Sequence, residues 1–189
     1  MLLFFRSVFA TPLMRKFRRS RDGVTAIEFA LIAPVFFVLV LGTMEIGISF
    51  LVHRMADNAV LEASRKIKTG QALRDGFNET QFKAEICSSM PDFMCDVDRI
   101  VLEVSEFEFF SELDSIDDML DDDGEIREDY NFQVGSAGSI ILVRTIYRWP
   151  MVTSILGLSA ADGGNYERYL YSTQVFRNEP FPYTADGGV

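Results

Sequence analysis

Side chains suited to acid–base or metal chemistry are few in this sequence: one histidine, His53, and two cysteines, Cys87 and Cys95, against 28 carboxylates. A base working near neutral pH is most often a histidine. His53 stands beside Arg54 at the end of a long apolar run, with no nucleophile next to it in the chain. There is no G-x-S-x-G elbow, phosphate-binding loop or dinucleotide fingerprint, and Gly135-Ser-Ala-Gly-Ser139 has the wrong spacing for one. No residue is therefore assigned as catalytic, no cofactor is expected, and the chain reads as a non-enzyme; an enzyme could rest only on scattered carboxylates.

Those carboxylates gather between residues 112 and 129, where ten acids face only Arg127. A calcium loop is the tempting reading of Leu120-Asp-Asp-Asp-Gly-Glu125. With Gly124 as the turn glycine, Asp121 and Asp123 fall on ligand positions, but Met119 occupies the first position and Tyr130 the last, where a bidentate glutamate belongs. The expectation is a solvated, mobile acidic insertion at 112–129 and no metal site. A zinc site from His53 and the cysteines does not suit an oxidising compartment.

The remaining residue with chemical promise is Glu28, a carboxylate inside an apolar run from Gly23 to Val52. At about 1.5 Å per residue that run would span roughly 45 Å as a helix, against about 30 Å of bilayer hydrocarbon. Six basic residues precede it (Arg6, Arg15, Lys16, Arg18, Arg19 and Arg21) with only Asp22 opposing, so residues 1–23 carry +5 and the remainder −15 of the overall −10. Basic flanks stay cytoplasmic, so the acidic remainder is predicted to be exported. Such a charge split disfavours nucleic acid as a partner. Residues 1–14 read as leader, or as an over-extended start, in which case Met14 begins a compact basic leader. In an oxidising periplasm Cys87 and Cys95 favour a disulfide, worth about 2.5 kcal/mol for so short a loop; two buried free thiols are the alternative.

The entrance to the apolar run is specific. Gly23 is followed by Val24-Thr-Ala-Ile27, then Glu28 and Phe29, the pattern of a type IV prepilin cleavage site. Arg21 to Phe37, the Gly42-Thr-Met-Glu-Ile-Gly47 that follows and Arg54 to Ala72 resemble the TadE-like family of pilus-assembly pseudopilins, as do Tyr147-Arg-Trp-Pro150 and Phe176-Arg-Asn-Glu-Pro-Phe181. The resemblance implies cleavage between Gly23 and Val24 by a prepilin peptidase, possible methylation of the new amine, and a part in building Flp-type (tight-adherence) pili.

Depth separates the two intramembrane carboxylates. Counted from Gly23, Glu28 lies about 7 Å in and Glu45 about 33 Å along, at the far interface. Glu28 is the one that needs a partner, because a carboxylate at the centre of a span costs about 2.5–3.5 kcal/mol. Cleavage would create an amine at Val24 that could face a neighbour's Glu28; otherwise Glu28 snorkels to the headgroups. Pro34 should kink the helix, and Gly42 and Gly47 allow close approach of another helix.

Around these residues the elements read as follows. The helix continues past the membrane, with Met55, Ala59, Val60, Ala63 and Ile67 on one face and Gly70 as its stop. A second helix is predicted over Asn78–Met90, capped by Asn78 with Gln81 and stapled by Phe77 and Phe82, with Pro91 ending it. Strands are predicted at Arg99–Phe110 with a bulge near Ser105; at Ser139–Trp149 with Ile141, Val143, Tyr147 and Trp149 on one face and Arg144 and Arg148 opposite; and at Tyr166–Phe176 with Tyr169, Tyr171, Thr173 and Val175 together. Asp162-Gly-Gly-Asn165 signals the turn before the last strand.

The expected whole is an α+β protein: a basic leader 1–23 that is cleaved, a transmembrane and extended N-terminal helix 24–69, and a pilin-like periplasmic domain 70–189 with an antiparallel sheet. Its expected place is the bacterial inner membrane, N-terminus cytoplasmic. Expected partners are the prepilin peptidase, other pilins or pseudopilins and the pilus assembly platform. The rival reading is an uncleaved bitopic protein whose periplasmic domain binds an envelope partner.

Overall fold

A computed structural model describes residues 23–121, 123–127, 130–151 and 166–182. The leader ahead of Gly23 and the Asp162–Asn165 turn lie outside them. The chain divides into two compact units, Met1–Thr43 and Met44–Val189.

In the first unit the described chain is helix. It is the start of α1 (Val24–Lys68), which passes through Pro34 without interruption and into the second unit. From residue 24 to residue 48 no position is buried. Val24, Phe29, Leu31, Ile32, Val35 and Phe36 all expose about half or more of their surface.

In the second unit α1 changes character. Ser49, Val52, Ala56, Ala59, Val60, Ala63, Ser64 and Ile67 are buried at helical spacing, the stripe expected of a helix with one face on a core. Small residues dominate it, which lets the helix backbone sit close to what it covers. At its end Gly70 takes a left-handed conformation (φ 76°) and its N–H donates to Ile67 O at 2.9 Å, as a glycine stop should. A four-residue helix α2 (Gln71–Arg74) follows, then α3 (Glu79–Ser88). The predicted capping box is present: Gln81 N–H donates to Asn78 Oδ1 and Asn78 N–H donates to Gln81 Oε1, both at 2.9 Å. Phe82 is wholly buried and Phe77 packs on the same core.

Among the described residues three strands form an antiparallel meander in the order β1 (Ile100–Phe107), β2 (Ile140–Pro150), β3 (Glu167–Arg177). Their pairing is continuous from Ile100↔Tyr147 to Phe107↔Ile140 and from Ile140↔Arg177 to Pro150↔Glu167. The bulge expected near Ser105 is therefore absent. The shift in apolar parity that suggested it is the strand's end: β1 stops at Phe107, and Phe109 and Phe110 are exposed at the start of the next segment.

One sheet face joins the α1 stripe, Phe82 and Ile86 in a single core through Ile100, Leu102, Val104, Ile141, Val143, Tyr147 and Leu170. On β3 Leu170 and Phe176 face this core, while Tyr169, Tyr171, Thr173 and Val175 lie together on the opposite face, as their spacing predicts, with Tyr171 and Val175 more than two-fifths exposed.

Part of the opposite face is covered by the acidic stretch: its described carboxylates are exposed, as expected of a solvated insertion, but a few apolar residues anchor it to the sheet. Met119 is buried and forms a second cluster with Ile146 and Tyr169, joined by Val101, Leu120, Ile126 and Tyr130. Tyr130 Oη donates to Met119 O at 2.6 Å. Met119 and Tyr130, the residues that spoil the calcium loop, are the ones that fasten this segment to the sheet.

Candidate functional site

The predicted processing and assembly residues sit together at the beginning of α1. Gly23 precedes the helix, and its carbonyl accepts the first helical bond from Ile27 N–H at 3.1 Å. Val24 is the first helical residue, and Glu28 and Phe29 lie exposed one turn further on, Phe29 at 67%. Among the described residues Glu28 makes no ion pair. Pro34 is exposed on the same unburied stretch. Some 25 residues of unburied apolar helix reach about 37 Å, enough for about 30 Å of hydrocarbon. Among the described residues this is the one helix long and apolar enough to cross a membrane. It can anchor, pack against other helices and present a carboxylate; none of that is bond-making chemistry.

In the second unit Cys87 and Cys95 are brought together, with Cα atoms 5.4 Å apart and the sulfurs bonded. The bridge ties the last turn of α3 to the loop running from Pro91 to Arg99. Sequence reasoning missed what holds the loop's other side: Tyr147 Oη donates to Met94 O at 2.9 Å and accepts from Asp96 N–H at 3.3 Å. Burial of that phenol pushes its pKa up. A tyrosine at an inward position of β2 was legible; that its hydroxyl would find a loop fifty residues away was not.

Two carboxylates also had roles that spacing did not show. Glu103 lies directly across from Arg144 in the β1–β2 register. Arg144 Nε donates to Glu103 Oε2 at 2.6 Å, and its Nη1 donates to Asp117 O at 2.9 Å. This largely enclosed pair thus holds the acidic segment to the sheet. Arg148 Nη2 donates to Asp98 O at 2.7 Å, so both arginines expected outside the core serve as ties.

Glu106 organises the glycine-rich turn at 135–139. It accepts from the backbone N–H and the hydroxyl of Ser136, both at 2.9 Å. Desolvation alone would raise the pKa of this carboxyl, but the Ser136 bonds and one from the Ser139 hydroxyl outweigh it and hold the group below its ordinary value. Gly135 has φ 67°, and a Cβ there would fall 2.4 Å from Ile141 Cδ1. This turn, whose spacing is wrong for a nucleotide-binding motif, is occupied by the chain's own Glu106.

Among the described residues, fold and helix together define one apolar, membrane-competent helix near the N-terminus that runs into a small α+β unit. Residues 23–65, less than half of the chain, match the family described as TadE-like protein, so this stretch is similar to that family. Comparison with curated proteins and with solved structures found no match.

Proposed function

We propose that this chain is a pseudopilin-like structural subunit for assembly of Flp/Tad-type pili. The observation that carries the reading is the unburied apolar helix that starts at Gly23–Val24, presents Glu28 and Phe29 one turn in, and falls inside the TadE-like match. In this reading the helix lies in the bacterial inner membrane, the basic residues 1–23 stay cytoplasmic, and residues 70–189 are periplasmic.

A prepilin peptidase cuts after Gly23 and frees the Val24 amine. In an assembly with other pilins or pseudopilins that amine neutralises a neighbour's Glu28, setting the register between helices more than it adds stability. Pro34 bends the helix as it packs.

Sequencing the mature N-terminus from cells with an active prepilin peptidase should return Val24. A mature chain that begins at Met1 or Met14 overturns the processing step and leaves the uncleaved bitopic protein. With processing intact, Glu28→Ala should insert normally and abolish piliation; unchanged piliation would show that Glu28 only snorkels.

A further inference from the structure

Two exposed patches of the second unit are complementary, and the fold puts them at one level. The end of α1 lies at one end of the sheet, because Glu179 N–H donates to Lys68 O and Asn178 N–H donates to Ser139 O, each at 2.9 Å, just past the Arg177↔Ile140 pair. The buried face of α1 runs from Ser49 to Ile67, about 27 Å of helix. Three strands are only about 10 Å across between outer axes, so a helix buried over that length must lie along the strands. Tyr147 is roughly 23 Å from Ile140 along β2. The same distance back along α1 from Lys68 is about 15 residues, which reaches His53 and Arg54. The loop held by Tyr147 is therefore level with Arg54.

The loop is acidic with an aromatic tip: Phe93 is 83% exposed, and Asp92, Asp96 and Asp98 are exposed around it, with Arg99 engaged by Asp96 at 3.2 Å. Beside it opens a cleft of about 540 Å³ whose apolar walls include Phe93, Met94, Trp149 and Pro150. At the same level α1 shows the converse surface: Phe50 and Leu51 are 61% and 49% exposed, and the Arg54 guanidinium lies 5.2 Å from the Phe50 ring centre.

We propose that the Pro91–Arg99 loop of one copy docks on the Phe50–Leu51–Arg54 face of α1 in a second copy. Phe50 and Leu51 enter the cleft beside Phe93, and Arg54 meets Asp92 and Asp98. The inference rests on the reading above, in which both helices stand in one membrane with the same orientation and so bring equal levels together. Each copy uses two different patches, so the contact is heterologous and propagates into a row or helix of subunits instead of closing as a dimer.

The test uses full chains co-expressed in membranes, one carrying Phe93→Cys and the other Leu51→Cys, treated with a short bismaleimide that spares the native disulfide. The mixed pair should cross-link and each variant alone should not. Arg54→Glu should lower the yield about fivefold, the effect of an exposed ion pair; Arg54→Gln should lower it less, and Asp92→Arg with Asp98→Arg in the opposite copy should restore the yield lost to Arg54→Glu. Like-with-like cross-linking, or a mixed yield that Arg54→Glu leaves unchanged, overturns the contact. Phe36→Cys paired with itself reports on the spans: if they cross-link and the loop pair does not, this inference fails while the subunit reading stands, and if neither does, both fail.

Discussion

Glu106 shows how much of a residue's role is hidden until its partners are known. In the chain it is one of 28 acids; in the fold it is the acceptor around which Ser136 and Ser139 close a turn. A carboxyl held below its ordinary pKa stabilises the fold at pH above that ordinary value, and the contribution is lost as pH falls through the lowered one. Thermal unfolding of the full chain in detergent, followed from pH 7 to pH 3, should therefore show a component of acid destabilisation that Glu106→Gln removes. Equal acid sensitivity in both chains would place the lost stability elsewhere. Asn78 stands at the other extreme, because its capping partner is three residues away and the pair could be read directly from the sequence. Local pairs are legible in sequence; pairs such as Glu103–Arg144 or Tyr147–Met94 depend on a register that only the folded sheet supplies.

Among the elements, the strands divide along the same line. The three strand positions and the α1 stripe followed from alternation and helical spacing, but which face of β3 turned inward did not, because both faces of the sheet are covered, the second in part. A one-sided expectation fails when an acidic segment supplies the second cover through a few apolar residues. Met119 is the central one, at 3% exposure. Met119→Ala should cost roughly 2–4 kcal/mol, the range for large-to-small changes in a core, measured by denaturant unfolding. It should also open residues 112–127 to limited proteolysis before the rest of the unit is cut. Resistance of that segment in the variant would mean that the Arg144 and Tyr130 bonds alone hold it.

For the molecule as a whole, the division between an unburied apolar helix and a packed α+β unit was visible in composition and charge, because both are set by residue type. The bridge between Cys87 and Cys95 was anticipated from the expected compartment. Intact chain analysed without reductant should show the two cysteines linked, and Cys87→Ser with Cys95→Ser should lower stability by about 2.5 kcal/mol; free, alkylatable thiols in native material would count against the bridge. The unit closes late in the chain: Phe181 lies over Gly70, where an added Cβ would come within 2.5 Å of its ring, and Glu179 N–H bonds the last carbonyl of α1. On a ribosome this order matters. The α1 stripe is made first; Phe82 and Ile86 follow soon after it, but Ile141, Val143, Tyr147 and Leu170 of the same core come much later, so the growing chain carries a partly covered apolar helix face until the sheet is made. Such long-range closure slows folding and leaves apolar surface open to other chains while the rest is made.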